Sequence, residues 1–205
     1  MPQSPHTSRK QQKAATRATI KEVTRRLLDS KDISDITIGG IAKEAGVANG
    51  TFYVHFQSKE EVLKELFSDI NLEVFNRLKN ITSSSKPQPL EKLIKKAAGN
   101  FLDFWHDNQG LAKMYAQTFQ DTSELETLRD GMNPMAVQLM AQLLEQEAKS
   151  NKAKKRNWEL VSHAISSIWL RVGLQYLFGN TVSRSEAIDT LTTLTLACIN
   201  SVIDK

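Results

Sequence analysis

Thr37-Ile38-Gly39-Gly40-Ile41-Ala42-Lys43-Glu44-Ala45-Gly46-Val47-Ala48-Asn49-Gly50-Thr51-Phe52-Tyr53-Val54-His55-Phe56 reads as two short helices joined by a tight turn. Such a unit needs a small residue where its helices cross and a turn residue that tolerates positive φ, and Ala42 and Gly46 stand at those places. Ile41, Ala45, Val47 and Phe52 are then predicted to pack inward. Asn49, Thr51, Tyr53 and His55 are left to project from a second helix, about Ala48 to Phe56, whose first residues would enter a major groove. Lys59 opens the next helix, where its charge adds to free backbone N–H groups near a phosphate.

Outward from this stretch the chain reads as all-α, with no sustained strand periodicity. Upstream, Ile20, Val23, Leu27 and Leu28 recur at helical spacing after a basic tail ending near Lys13. Downstream, Ser58 with Glu61 has the form of a capping box and predicts a long helix reaching about Ile81. Ser123 with Glu126 and Ser183 with Glu186 repeat that signature. The 83–89 loop, Gly110, Asn133-Pro134, the basic 152–156 run and Gly179-Asn180 divide the remainder, giving about nine helices. Three parts are expected: a flexible basic tail over 1–13, a helix-turn-helix DNA-binding domain over 14–57, and a helical ligand-binding and dimerisation bundle over 58–205.

The formal charge of +4 is unevenly placed. All of the excess lies within residues 1–56, and the segment from Arg9 to Thr19 holds no acid. A polyanion is the natural partner, with nucleic acid favoured because the groove-reading motif follows directly. Arg9, Lys10 and Lys13 are placed to reach phosphates or a minor groove, or to remain a solvated tail.

The identities and spacings from Thr37 to Leu63 resemble the TetR family of one-component transcriptional repressors: Thr at the start of the second helix, Ile-Ala, Ala-Gly-Val, Gly-Thr-Phe-Tyr, His-Phe, then Ser-Lys-Glu and apolar positions. Arg17, Ile20, Leu27 and Leu28 are similar to that family's first helix. The resemblance implies DNA contacts from Thr37, Thr51, Tyr53, His55 and Lys59, with Tyr53 and Lys59 chiefly at phosphates. Ala48, Asn49 and Gly50 complete the candidate DNA-binding set. Two positions depart from the family pattern. Asp32 stands where a glycine is usual, and Asp enters the left-handed region more readily than most residues. Gly39-Gly40 offers no side chain to DNA and loosens the second helix.

The resemblance further implies a largely apolar inducer pocket among the later helices. Phe101, Trp105, Tyr115, Phe119 and Met135 are its candidate lining, within an aromatic and methionine-rich set that otherwise reads as core. Glu159, His163, Ser167, Arg171 and Gln175 fall at i+4 intervals as a polar stripe, solvated or subunit-facing, from which Arg171 is the residue able to hold a carboxylate. The final helix carries two apolar faces, with Ile188, Leu191, Leu194, Cys198 and Val202 on one and Leu196, Ile199 and Ile203 on the other. One monomer covers only one of them, so a homodimer through the last two helices is expected, reading an inverted-repeat operator in double-stranded DNA.

Other classes find little support. Cys198 is the single cysteine, which excludes an intrachain disulfide framework and fits a reducing cytoplasm. No run of eighteen apolar residues suggests a membrane span. His6, His55, His106 and His163 lack a metal-ligand or triad signature and there is no glycine-rich phosphate loop, so neither an enzyme nor a cofactor is expected. A small-molecule effector is expected. The alternative is a TetR-like DNA-bound interaction protein of the nucleoid-occlusion type, with no inducer.

Overall fold

The computed structural model describes residues 8–82, 88–117, 134–150 and 156–203. Among the described residues the regular structure is nine α-helices and one 3-10 turn, with no strand. The first helix, α1 (Arg9–Ser30), begins earlier than the sequence suggests. Ser8 Oγ accepts from Gln11 N at 3.3 Å, and Ser8 N donates to Gln11 Oε1 at 2.8 Å. This reciprocal cap satisfies two end donors and draws Arg9, Lys10 and Lys13 into the helix, in place of the expected tail up to residue 13.

Ile20, Val23, Thr24 and Leu28 form the buried face of α1, at the spacing of successive helical turns. The Thr24 hydroxyl donates to Ile20 O at 2.8 Å, so its burial leaves no unpaired group. A 3-10 turn (Ile33–Asp35) leads to α2 (Ile38–Glu44) and α3 (Asn49–His55). Between them Gly46 takes φ +68°, a conformation that strains any residue with a Cβ. Asp32 does not use the left-handed region expected of it: its φ is −72°, and its carboxylate pairs with Lys113 at 2.7 Å.

Next comes α4 (Lys59–Thr82). Ser58 Oγ accepts from Glu61 N at 3.3 Å, as its spacing predicts, while the Glu61 carboxylate accepts from Gln57 N at 2.6 Å. The chain continues through α5 (Leu90–Asp107), α6 (Gln109–Gln117), α7 (Pro134–Ser150), α8 (Trp158–Phe178) and α9 (Arg184–Ile203). Asn157 and Ser183 cap α8 and α9 with bonds to Leu160 N and Glu186 N. At the end of α8 the positive φ belongs to Asn180, at 52°, and not to Gly179. The expected cap at Ser123 and Glu126 lies outside the described residues.

Two apolar clusters organise these helices. One gathers Ile20, Leu28, Ile41, Phe52 and Phe56 from the first three helices, then continues through Val62, Leu63, Phe67 and Ile70 of α4 to Phe104, Leu111 and Met114. It therefore runs across position 57, where the sequence suggests a domain boundary. The other joins α5, α7, α8 and α9 around Leu102, Ile165, Trp169 and Leu191. Burial of each such side chain contributes about 1.5–3 kcal/mol.

On α9 the inward row is Ile188, Leu191, Thr192, Thr195 and Ile199. This cuts across the expected division, which set Leu194 with Ile188 and Leu191 on one face and Ile199 on the other. Two threonines continue the buried row because their hydroxyls find partners: Thr192 donates to Ile188 O and Thr195 accepts from Trp169 Nε1. Leu194 is left exposed, as are Leu160 and Phe178 on α8.

Candidate nucleic-acid interface

Phe52 and Phe56 hold α3 against the first cluster, both almost fully buried. On a helix their i, i+4 spacing marks the inward face, so the outward face is Asn49, Gly50, Tyr53 and Val54. These four are exposed, Tyr53 by 58% and Val54 by 65%. Ala48, the residue preceding the helix, is also exposed, and Thr51 is half-buried.

His55 is a correction. Expected to project outward, it is 8% exposed, and its Nδ1 is buried without a hydrogen-bond partner among the described residues. The expectation took alternate residues, a strand's period, whereas the helical turn places position 55 beside Phe52. Burial, reinforced by the charges of Lys13 and Arg17, lowers the His55 pKa from its ordinary value. Val54, to which the sequence reading assigned no direction, takes the outward place.

Arg17 reaches into this region from α1. Its guanidinium donates to the His55 carbonyl oxygen and to both carboxylate oxygens of Glu65, and lies 3.9 Å above the Phe56 ring. Hydrogen bonding to Arg17 lowers the Glu65 pKa below its ordinary value. Lys21 pairs with Asp69 one turn further along. The last carbonyls of a short helix have no partner within it, so Arg17 closes the end of α3 and ties it to both long helices. Forty-eight residues separate Arg17 from Glu65, so no local pattern signals the pair.

Thr37 caps α2, its Oγ1 accepting from Gly40 N at 3.1 Å, and its side chain remains exposed. A Cβ on Gly40 would stand 3.2 Å from that oxygen, so the glycine leaves room for the cap. A Cβ on Gly39 would meet Asn49 Nδ2 at 4.0 Å, which puts the start of α2 beside the start of α3. Lys59 differs from its expected role as a phosphate cation. Its Nζ donates to Ile33 O at 2.9 Å and Ile36 O at 3.1 Å, pinning the 3-10 turn to α4. Arg9, Lys10, Lys13 and Lys43 are exposed.

A cavity of about 1190 Å³ opens among α4 to α9. Phe101, Trp105, Tyr115 and Arg171 line it, as do His163 and Ser167 of the polar stripe. Met135 is described but is not among the lining residues, and Phe119 lies outside the described residues. Trp105 stacks on Tyr115 with ring centroids 6.0 Å apart, and Phe101 meets Trp169 edge-on at 5.4 Å. Arg77, which sequence reasoning missed, lines the same space and bonds to Glu73 at 2.6 Å. Among the described residues no three His, Cys, Asp or Glu side chains gather as a metal site, and no helix is long and apolar enough to cross a membrane.

Residues 20–66 match the family described as bacterial regulatory proteins, tetR family. The HTH-type transcriptional regulator EthR of Mycolicibacterium smegmatis is 24% identical over 136 residues, covering 66% of this chain and 62% of EthR. The HTH-type transcriptional repressor KstR2 of the same organism is 30% identical over 82 residues, 40% of each chain. Each match thus spans less than two thirds of the relative's length. Along nearly the whole chain, the fold is that of a TetR-family regulator structure from Syntrophomonas wolfei, with TM-score 0.78, 16% identity, and coverage of 91% of this chain and 95% of that one.

Proposed function

We propose that this chain, a tetR-family DNA-binding transcriptional regulator, is a homodimeric repressor that a small, largely apolar molecule releases from an inverted-repeat operator. The observation that carries the reading is α3. It is a seven-residue helix anchored by Phe52, His55 and Phe56, clamped at its end by Arg17, and exposed along Asn49, Gly50, Tyr53 and Val54. Rigid anchoring beneath an exposed face is what groove reading requires. Asn49, Thr51 and Val54 are assigned to bases, with Thr37, Ala48, Gly50 and Tyr53 beside the backbone. Lys59 acts mainly by holding the 3-10 turn, and His55 by packing.

One helix of this length makes too few base contacts for useful specificity, so two copies related by a two-fold axis are required. Exposed Leu160, Phe178 and Leu194 on α8 and α9 support pairing through those helices. The cavity supports an effector, and favours this reading over a DNA-bound interaction protein without one.

Release needs a route from cavity to DNA. The cavity wall includes Tyr115 of α6, and the same helix abuts the end of α1: Gly110 N donates to Asp29 Oδ1 at 3.3 Å, and Lys113 pairs with Asp32 at 2.7 Å. An effector that displaces α6 or α4 thereby shifts the unit carrying α3. It must favour the released state by about 1–3 kcal/mol to act as a switch.

The test is selection of genomic fragments by the purified full chain, followed by anisotropy titrations on the enriched duplex. An enriched inverted repeat bound by two copies is expected. A chain that stays monomeric and ignores duplexes at low ionic strength overturns the proposal.

A further inference from the structure

The geometry points to a neutral hydrogen-bond acceptor on the effector, received by the indole N–H of Trp105. The inference rests on the cavity being the effector site. Two tryptophans line that space, and their ring nitrogens differ. Trp169 Nε1 donates to Thr195 Oγ1 at 2.8 Å. Trp105 Nε1 is buried with no hydrogen-bond partner among the described residues. A buried donor left unpaired is costly, and buried polar atoms are paired in the large majority of cases. A donor in the wall of a ligand-sized cavity is satisfied by what enters the cavity.

The surroundings select the kind of acceptor. Trp105 is packed by Phe101, Phe104 and Tyr115, at centroid separations of 6.4, 5.3 and 6.0 Å, so the body of the ligand beside it is apolar or aromatic. One cation of the wall is already matched: Arg77 bonds to Glu73 and lies 5.2 Å over the Phe104 ring. Arg171, the other arginine of the wall, is exposed to solvent. A ketone, ester, lactone or amide carbonyl fits this setting, and a carboxylate does not.

The experiment is calorimetric titration of the full chain with three molecules of similar shape: butyrophenone, butylbenzene and phenylbutyrate. The ketone is expected to bind about ten-fold tighter than the hydrocarbon, and tighter than the acid. Trp105→Phe keeps an aromatic ring but removes the donor. It should erase the preference for the ketone while leaving butylbenzene within about two-fold, given the retained packing. In proton–nitrogen spectra of the unaltered chain, the indole signal absent from Trp105→Phe should move downfield with butyrophenone and stay with butylbenzene. If Trp105→Phe folds poorly the readout still stands, because Trp158→Phe and Trp169→Phe assign the other two indole signals and leave the third to Trp105.

Equal affinity for ketone and hydrocarbon overturns the inference and leaves the cavity as an effector site. So does tightest binding by phenylbutyrate, or a preference unchanged in the variant. Binding by none of the three overturns the cavity reading and this inference with it.

Discussion

Gly110 of α6 lies directly against the main chain of Leu28 in α1. A Cβ at position 110 would stand 2.5 Å from both the Leu28 carbonyl oxygen and the Asp29 nitrogen. Backbone cannot yield as a flexible side chain would, so Gly110→Ala must push the two helices apart. Overpacking of this kind costs about 1–3 kcal/mol. The variant should melt several degrees lower and, if α2 and α3 read DNA as proposed, bind operator more weakly, since α1 packs against both. Circular dichroism melts and anisotropy titrations read both effects. Unchanged melting would show that the contact is looser than its geometry.

Arg17 and Glu65 predict a dependence on acid. The folded state holds the Glu65 pKa below its ordinary value of 4.5, so the stabilisation is complete above that value and is lost as pH falls through the folded pKa. Arg17→Gln should cost about 1–2 kcal/mol at neutral pH, a modest figure because both groups are partly exposed to solvent. The difference between the chains should narrow progressively below pH 4.5. Urea melts at a series of pH values measure it. A constant difference down to strong acid would remove the ion pair from the account.

His55 has the opposite chemistry and the same sign of slope. Its folded pKa lies below the ordinary 6.5, so between the two values the unfolded chain binds more protons and stability rises with pH. The protein should lose stability as pH falls below 6.5, levelling once the folded histidine protonates. His55→Gln should flatten this part of the profile. If the variant keeps the same slope there, other groups carry it.

Tyr53 separates DNA binding from folding. Because it is 58% exposed, Tyr53→Ala should leave stability within about 0.5 kcal/mol, as is usual for surface changes. Loss of the backbone contact proposed for it should weaken binding to all duplexes, specific or not. A variant that binds normally at every salt concentration removes Tyr53 from the interface. Val54→Ala should instead change which sequences are preferred, as scored by competition among mutated half-sites.

The fold class was legible in the residues themselves. Gly46 needs a positive φ, Ala42 a close crossing, and Ser58 and Ser183 cap the following helices. Each is a local rule acting over three or four residues, and the tertiary structure respects all of them. The candidate cavity was partly legible, since Phe101, Trp105 and Tyr115 are large, aromatic and clustered in sequence. Met135 was misplaced, because an apolar residue on a helix of known position still has several directions in which to face.

What local rules could not decide was orientation and long-range pairing. A seven-residue helix such as α3 has no strong periodic signal, so only the packing of Phe52 and Phe56 against α1 and α4 turns His55 inward and Val54 outward. Thr192 and Thr195 enter the core only because Ile188 O and Trp169 Nε1 are there to meet them. Arg17 meets Glu65, and Gly110 meets Leu28, across 48 and 82 residues, respectively. The sequence alone determined which segments are helices, because helix ends are written in adjacent residues. Tertiary structure decided which face each helix presents and which charges meet, because those energies arise only between elements brought together by folding.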